Sequence, residues 1–153
     1  MHRTIVLALG VAVLCGLAIG VQSTLIGTSG KNVGAVLTGL LVNFMAGSAA
    51  FLILTLLYAR RGGMTFSALK APELGVVLVA GLFGIGIITG IAYALPKTGI
   101  AAGLAAIIAG QMVVGVLVDT LGLAGGEAIP LTLARIGGLG LLALGTWAIL
   151  PTG

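Results

Sequence analysis

Charged residues are almost absent from this chain, and the gaps between them are long. Of 153 residues, 7% are charged and 59% are hydrophobic. A soluble domain of this size has too few polar residues here to cover itself. Lipid must therefore be the solvent for most of the chain. Five apolar segments each reach the roughly 20 residues needed to cross a bilayer. They lie at about 4–26, 33–59, 74–95, 98–121 and 130–150. The expectation is an all-α, polytopic integral membrane protein with five transmembrane helices in a single domain over 1–153. The connections are short and carry turn chemistry: Gly-Thr-Ser-Gly-Lys-Asn, Arg-Arg-Gly-Gly-Met-Thr, Pro96-Lys97 and Gly125-Gly126-Glu127.

The first 23 residues have a basic start and an apolar middle, as a secretory signal does. The apolar run outlasts a signal's core, and further spans follow, so this segment reads as the first membrane span. Cys15 is the one cysteine, which excludes an intramolecular disulfide, and its apolar setting suits a small packing residue.

With so few charges, their placement carries more than the net +4. Arg3, Arg60, Arg61 and Lys70 fall on the N-terminal side, with Arg135 close to it, whereas the opposite side holds Lys31 and Lys97. This bias favours a cytoplasmic N-terminus. Tyr58, Tyr93 and Trp147 sit near span ends, as interfacial aromatics do.

The 27 glycines have a structural reading. Lipid gives little hydrophobic drive between helices, so small residues mark close-packed faces. Ala8, Ala12, Gly16 and Gly20 form a ladder at steps of four in the first span. Ala35, Gly39, Asn43 and Gly47 do so in the second. The third has Gly86, Gly90 and Ala94, and the fourth Gly99, Gly103, Gln111 and Gly115. Such helices expect close neighbours, in the chain or across a dimer.

Polar residues at depth are the candidate sites. Asn43 interrupts the second ladder roughly 15 Å from the outer end, and Gln111 reaches a similar depth from the same side. Each amide either makes one interhelical hydrogen bond or lines a polar cavity that contacts solute. Gln22 lies near the outer end of the first span, where water satisfies it, and joins them as a weaker candidate. Thr38 and Thr89 can bond their own helix backbone and carry little information.

Gln111 and Asp119 are eight positions apart, about 12 Å of rise and about 80° of rotation, so they share one broad face. Asp119 lies near the inner end of the fourth span, and the following loop brings Arg135 to a similar depth. A charge-assisted pair closing this hairpin is preferred over a proton-coupling role, because functional carboxylates are expected deeper.

No catalytic constellation is present, and the chain does not read as an enzyme. His2 is the one histidine, so no Cys/His cluster has metal spacing. No cofactor is expected. The glycines of the third span form no phosphate-binding fingerprint. Nothing supports nucleic-acid binding, because the loop arginines are explained by topology.

The run Pro96, Gly99 and Ala101, then Ala109-Gly110-Gln111, then Asp119, Gly122, Pro130, Arg135 and Gly138 resembles the drug/metabolite transporter superfamily. The similarity is to its half-size, five-helix, YdcZ-like members, and the stretch from Gln22 to Asn43 fits more loosely. It covers essentially the whole chain, and the Gly-Gln element followed eight residues later by Asp is its most specific part. The resemblance implies half a transporter for a small-molecule solute in the bacterial inner membrane. Ten-span relatives contain two such units in inverted orientation, and an odd span count inverts the second copy automatically.

A homodimer working by alternating access is then expected, with an inverted-repeat-like architecture and a cavity lined in part by Asn43 and Gln111. An antiparallel pair is favoured; the lysine and arginine bias keeps a parallel or hetero-pair open. The four-span multidrug exporters of the superfamily carry a glutamate in their first helix. No acid lies in 4–26 here, so that mechanism does not transfer, and Asp119 is the one carboxylate inside a span. The alternative function is a small structural or assembly subunit that packs through its glycine faces.

Overall fold

The computed structural model describes residues 2–60, 71–123 and 127–150, and the side chains of all of these except 2–6 and 71. Five helices follow one another: α1 (His2–Val33), α2 (Ala35–Ala59), α3 (Ala71–Thr98), α4 (Ile100–Thr120) and α5 (Leu133–Ala148). No strand occurs among the described residues. Within α1 to α4, stretches of 21 to 27 residues with mean hydropathy 2.0 to 2.4 are long and apolar enough to span a membrane. The fifth helix has 16 residues, about 24 Å, against a hydrocarbon core of about 30 Å. It starts later than the segment expected at 130, because Thr132 caps it: the Thr132 hydroxyl accepts from the Arg135 backbone N–H at 3.3 Å.

Two of the expected turns are displaced. Residues 27–32 are helical, and α1 gives way to α2 at the single residue Gly34. Likewise Pro96 and Lys97 lie inside α3, and α3 gives way to α4 at Gly99. Polar turn formers lose here because a peptide group in lipid must find its partner within the helix. Gly34 (φ 93, ψ 148) and Gly99 (φ 79, ψ 154) adopt a conformation essentially reserved for glycine. The break is narrow: the Gly34 N–H donates to Gly30 O at 3.1 Å, while Gly34 O accepts from Thr38 N at 3.0 Å. Gly99 O accepts from Gly103 N in the same way, at 3.0 Å. Most of the expected Arg-Arg-Gly-Gly-Met-Thr connection, Lys70 and Gly125-Gly126 lie outside the described residues.

The helices divide into two compact units, and the division cuts α1 and α3. One unit comprises Leu25–Tyr93, the other Met1–Thr24 with Ala94–Gly153. In the first, Ile26, Thr38, Ile91 and Ala92 are buried. Small residues make this possible. A β-carbon on Gly30 would strike the Ala92 carbonyl oxygen, and one on Gly39 would strike the Thr89 hydroxyl and come 2.9 Å from its Cβ. In the second unit Leu95 and Ala102 are buried, α4 packs on α5, and a β-carbon on Gly103 would lie 3.0 Å from Leu95 Cδ1.

The glycine ladders are thus used selectively. Gly39 and Gly103 make the close approach expected of them. Gly16, Gly20, Gly47, Gly86, Gly90 and Gly115 have nothing within 4 Å of a notional β-carbon among the described residues.

This contrast is testable in detergent. Gly39→Ala should lower stability by about 1–3 kcal/mol through overpacking, while Gly47→Ala on the same helix should be neutral or slightly stabilising. Thermal unfolding of the two variants side by side checks the difference. Gly34→Ala and Gly99→Ala should each cost about 1–3 kcal/mol through backbone strain, whatever the local space.

Candidate functional site

The polar residues expected at depth fall in different parts of the chain, and each is described within its own unit. Gln111 lies about 18 Å along α4 from Gly99, at the 1.5 Å rise of an α-helix. Its side chain is exposed and has no hydrogen-bond partner among the described residues. Gly115, one turn on, shares its face and is likewise uncovered. The amide therefore stands on an open, small-residue face of the helix.

Farther along α4, Asp119 makes three connections that fold the α4–α5 hairpin. Its backbone carbonyl accepts from Gly122 N at 3.2 Å and from Ile129 N at 2.9 Å. Its carboxylate Oδ2 accepts from Arg135 Nη2 at 2.6 Å. Gly122 takes a positive φ of 62°, which lets the chain turn tightly after the helix. The Arg135 side chain is 25% exposed and that of Asp119 44%. The contact uses one arm of the guanidinium, and Nη1 is buried without an acceptor among the described residues. A buried donor left unpaired costs about 1–3 kcal/mol, so the net stabilisation from the pair is modest.

In the other unit, Asn43 sits half-buried about 13 Å along α2 from Gly34. Its Nδ2 donates back to Gly39 O at 2.8 Å, and its Oδ1 lies over Gly84 of α3, 3.3 Å from where a β-carbon would be. One arm of the amide is thus committed to its own helix.

Gln22 is exposed, but it is not near a helix end, because α1 runs on for a further eleven residues to Val33.

Two features escaped sequence reasoning. Thr38, set aside as a backbone-bonding residue, is 1% exposed, and its hydroxyl pairs with that of Ser29 at 3.0 Å. Which way a hydroxyl turns depends on the neighbouring helix, so no local pattern announces this pair. The Ala92 carbonyl beside Gly30 is different. It stands four residues before Pro96, which has no N–H to offer it, and that spacing is legible.

No group of three His, Cys, Asp or Glu side chains that could hold a metal occurs among the described residues. An open groove of about 590 Å³ on α3 is lined by Pro72, Gly75, Val76, Val79, Ala80 and Phe83. Its lining is apolar, so it suits acyl chains and gives a polar solute nothing to bond.

No curated protein and no solved structure matches the chain. A family model described as "Putative inner membrane exporter, YdcZ" matches residues 7–148, nearly the whole length. That family is a transporter family of the inner membrane, of the drug/metabolite transporter type. By this match and by its apolar helices, the chain belongs to the YdcZ family of drug/metabolite-type inner-membrane transport proteins.

Proposed function

We propose that this chain is half of a solute transporter that works as a homodimer by alternating access, and that Gln111 is its principal solute contact. The observation that carries this reading is the face of α4. An amide well inside an apolar helix stands exposed beside uncovered Gly115, with no partner among the described residues. A polar group in that position needs a hydrogen-bonding partner from outside, because hydrocarbon supplies none.

The pairing of two chains is supported by the same open glycines. Gly16, Gly20, Gly47, Gly86 and Gly90 are where helices of another copy could approach closely. An antiparallel arrangement follows the logic of an odd span count. A cytoplasmic N-terminus is the orientation favoured by the basic residues, with a parallel or hetero-pair as the other arrangements.

Asn43 and Gln22 are secondary solute contacts in this proposal. Asn43 has one arm tied to Gly39 O, which leaves it less to offer than Gln111. Asp119 and Arg135 are assigned a structural role. The aspartate is engaged through both its carbonyl and its carboxylate, which supports a hairpin tie over a proton carrier. The assembly-subunit reading explains the glycines equally well, but it leaves the exposed Gln111 amide without a use.

Four outcomes follow. In proteoliposomes loaded with a panel of small organic solutes, the wild type should move at least one. Gln111→Ala should cut that flux by about tenfold, as expected when a buried polar solute contact worth about 1.4 kcal/mol is removed; unchanged flux would dismiss the site. Asp119→Asn should leave the flux and its pH dependence intact. A double-mutant cycle with Arg135→Gln should return a coupling of about 1 kcal/mol in thermal unfolding, since the pair is partly exposed. Loss of pH dependence in Asp119→Asn with the fold retained would make the carboxylate a coupling group instead.

A further inference from the structure

Threonines inside these helices follow one habit, and Thr89 breaks it. Thr24, Thr55, Thr98, Thr120 and Thr146 each donate to the carbonyl four residues back, at 2.7 to 3.1 Å. Thr38 pairs with Ser29. The Thr89 hydroxyl does neither, and it has no hydrogen bond among the described residues. It is turned onto Gly39 of α2, whose missing β-carbon leaves the room that the hydroxyl occupies.

Gly39 also holds a second group. Its carbonyl accepts from Asn43 Nδ2 at 2.8 Å. A carbonyl only accepts, so the amide must present its nitrogen there and its oxygen elsewhere. That oxygen lies over Gly84 of α3, and it too has no hydrogen bond among the described residues. Asn43 is one turn, about 6 Å, along α2 from Gly39. The amide oxygen and the Thr89 hydroxyl therefore line one α2–α3 seam, about a turn apart.

Both residues are half-buried, yet neither oxygen is sealed. Among the described residues, Arg135 Nη1 is the one fully buried side-chain nitrogen or oxygen without a partner. Two unsatisfied oxygens are thus reachable at depth, within the single unit Leu25–Tyr93.

What they can receive follows from charge. Among the described residues of this unit the charged side chains are Lys31, Arg60 and Glu73, each at a helix end. Asp119 and Arg135, the ion pair of the other unit, are spent on each other. A charged solute at the seam would leave water without a counter-charge, which is strongly unfavourable. Asn43 Oδ1 takes only a donor, while the Thr89 hydroxyl takes or gives one.

We propose that Asn43 Oδ1 and the Thr89 hydroxyl form a subsite for an uncharged solute that carries hydrogen-bond donors, a polyol or a primary amide. Thr89 is then a specificity-determining residue. This rests on the transporter reading above and narrows it: the solute is neutral, and one of its donors meets Asn43 Oδ1. Gly39 is the positioning residue, since its carbonyl aims the amide and its missing side chain seats the hydroxyl.

The test pairs flux in proteoliposomes with equilibrium binding to the purified chain in lipid nanodiscs. The panel holds polyols and primary amides, each beside amine, carboxylate and methylated analogues of matched size. The wild type should favour the neutral, donor-bearing member at least tenfold over its charged and methylated counterparts. Thr89→Val, close in shape, should bind that solute about tenfold more weakly, the effect of one lost hydrogen bond. Its thermal stability should be unchanged, because the hydroxyl bonds nothing in the fold, and Thr89→Ser should restore binding. Asn43→Asp keeps an acceptor and adds a charge, so it should shift the preference toward the amine analogue. That variant keeps the proposal testable should Thr89→Val fail to fold.

A wild-type preference for a charged member would overturn the subsite while leaving transport standing, as would Thr89→Val binding equal to the wild type. The expected preference in binding without any flux would keep the subsite and remove the transport reading. Neither binding nor flux would remove both.

Discussion

In a bilayer each peptide group must find its hydrogen-bond partner within the protein, and that one requirement shapes everything else in this chain. It explains why helices run through residues that would form turns in water, and why direction changes are compressed into single residues. Gly34 and Gly99 break the helix while the neighbouring groups stay bonded, Gly34 N to Gly30 O and Gly103 N to Gly99 O. A longer loop would leave several peptide groups unpaired, each at a cost of several kcal/mol in hydrocarbon. Pro96 is the exception that the same rule makes conspicuous, because it withdraws one donor from an otherwise continuous ladder.

Polar side chains are sorted by the same constraint. Ser29 and Thr38 satisfy each other, Asn43 returns one arm to Gly39 O, and Asp119 engages Arg135. Gln111 has no partner among the described residues. Gln111, like the exposed Gln22 of α1, is therefore marked by what its neighbours have and it lacks. That contrast is a stronger pointer to a solute contact than polarity alone, since most polar groups in the spans already have employment in the fold.

Much of this was legible from the residues. Long uncharged stretches define the helices, and the reversal after Asp119 brings Arg135 within reach, because a short loop fixes the register of two adjacent helix ends. The turns were misread over 27–32 because Thr28, Ser29, Gly30 and Asn32 are turn formers in water, where an unbonded backbone is solvated. The glycine ladders were only half informative. Their spacing gives a face, but not which faces meet: Gly39 lies against Thr89 while Gly47, on the same ladder, meets nothing described. The Ser29–Thr38 pair depends on the rotation of one helix about its axis relative to the next, which local periodicity does not encode.

The brevity of α5 reaches beyond the protein. A helix of 16 residues beside others of 21 to 32 cannot match the same hydrocarbon thickness. A span shorter than the hydrocarbon core is met by local thinning of the bilayer, by snorkelling of flanking residues or by association with other helices. The capped start at Thr132 lies three residues before Arg135, so the short helix opens beside its ion pair with Asp119. The short helix and the ion pair thus meet at one end of the hairpin, where a thinner bilayer and a pair of charges make compatible demands.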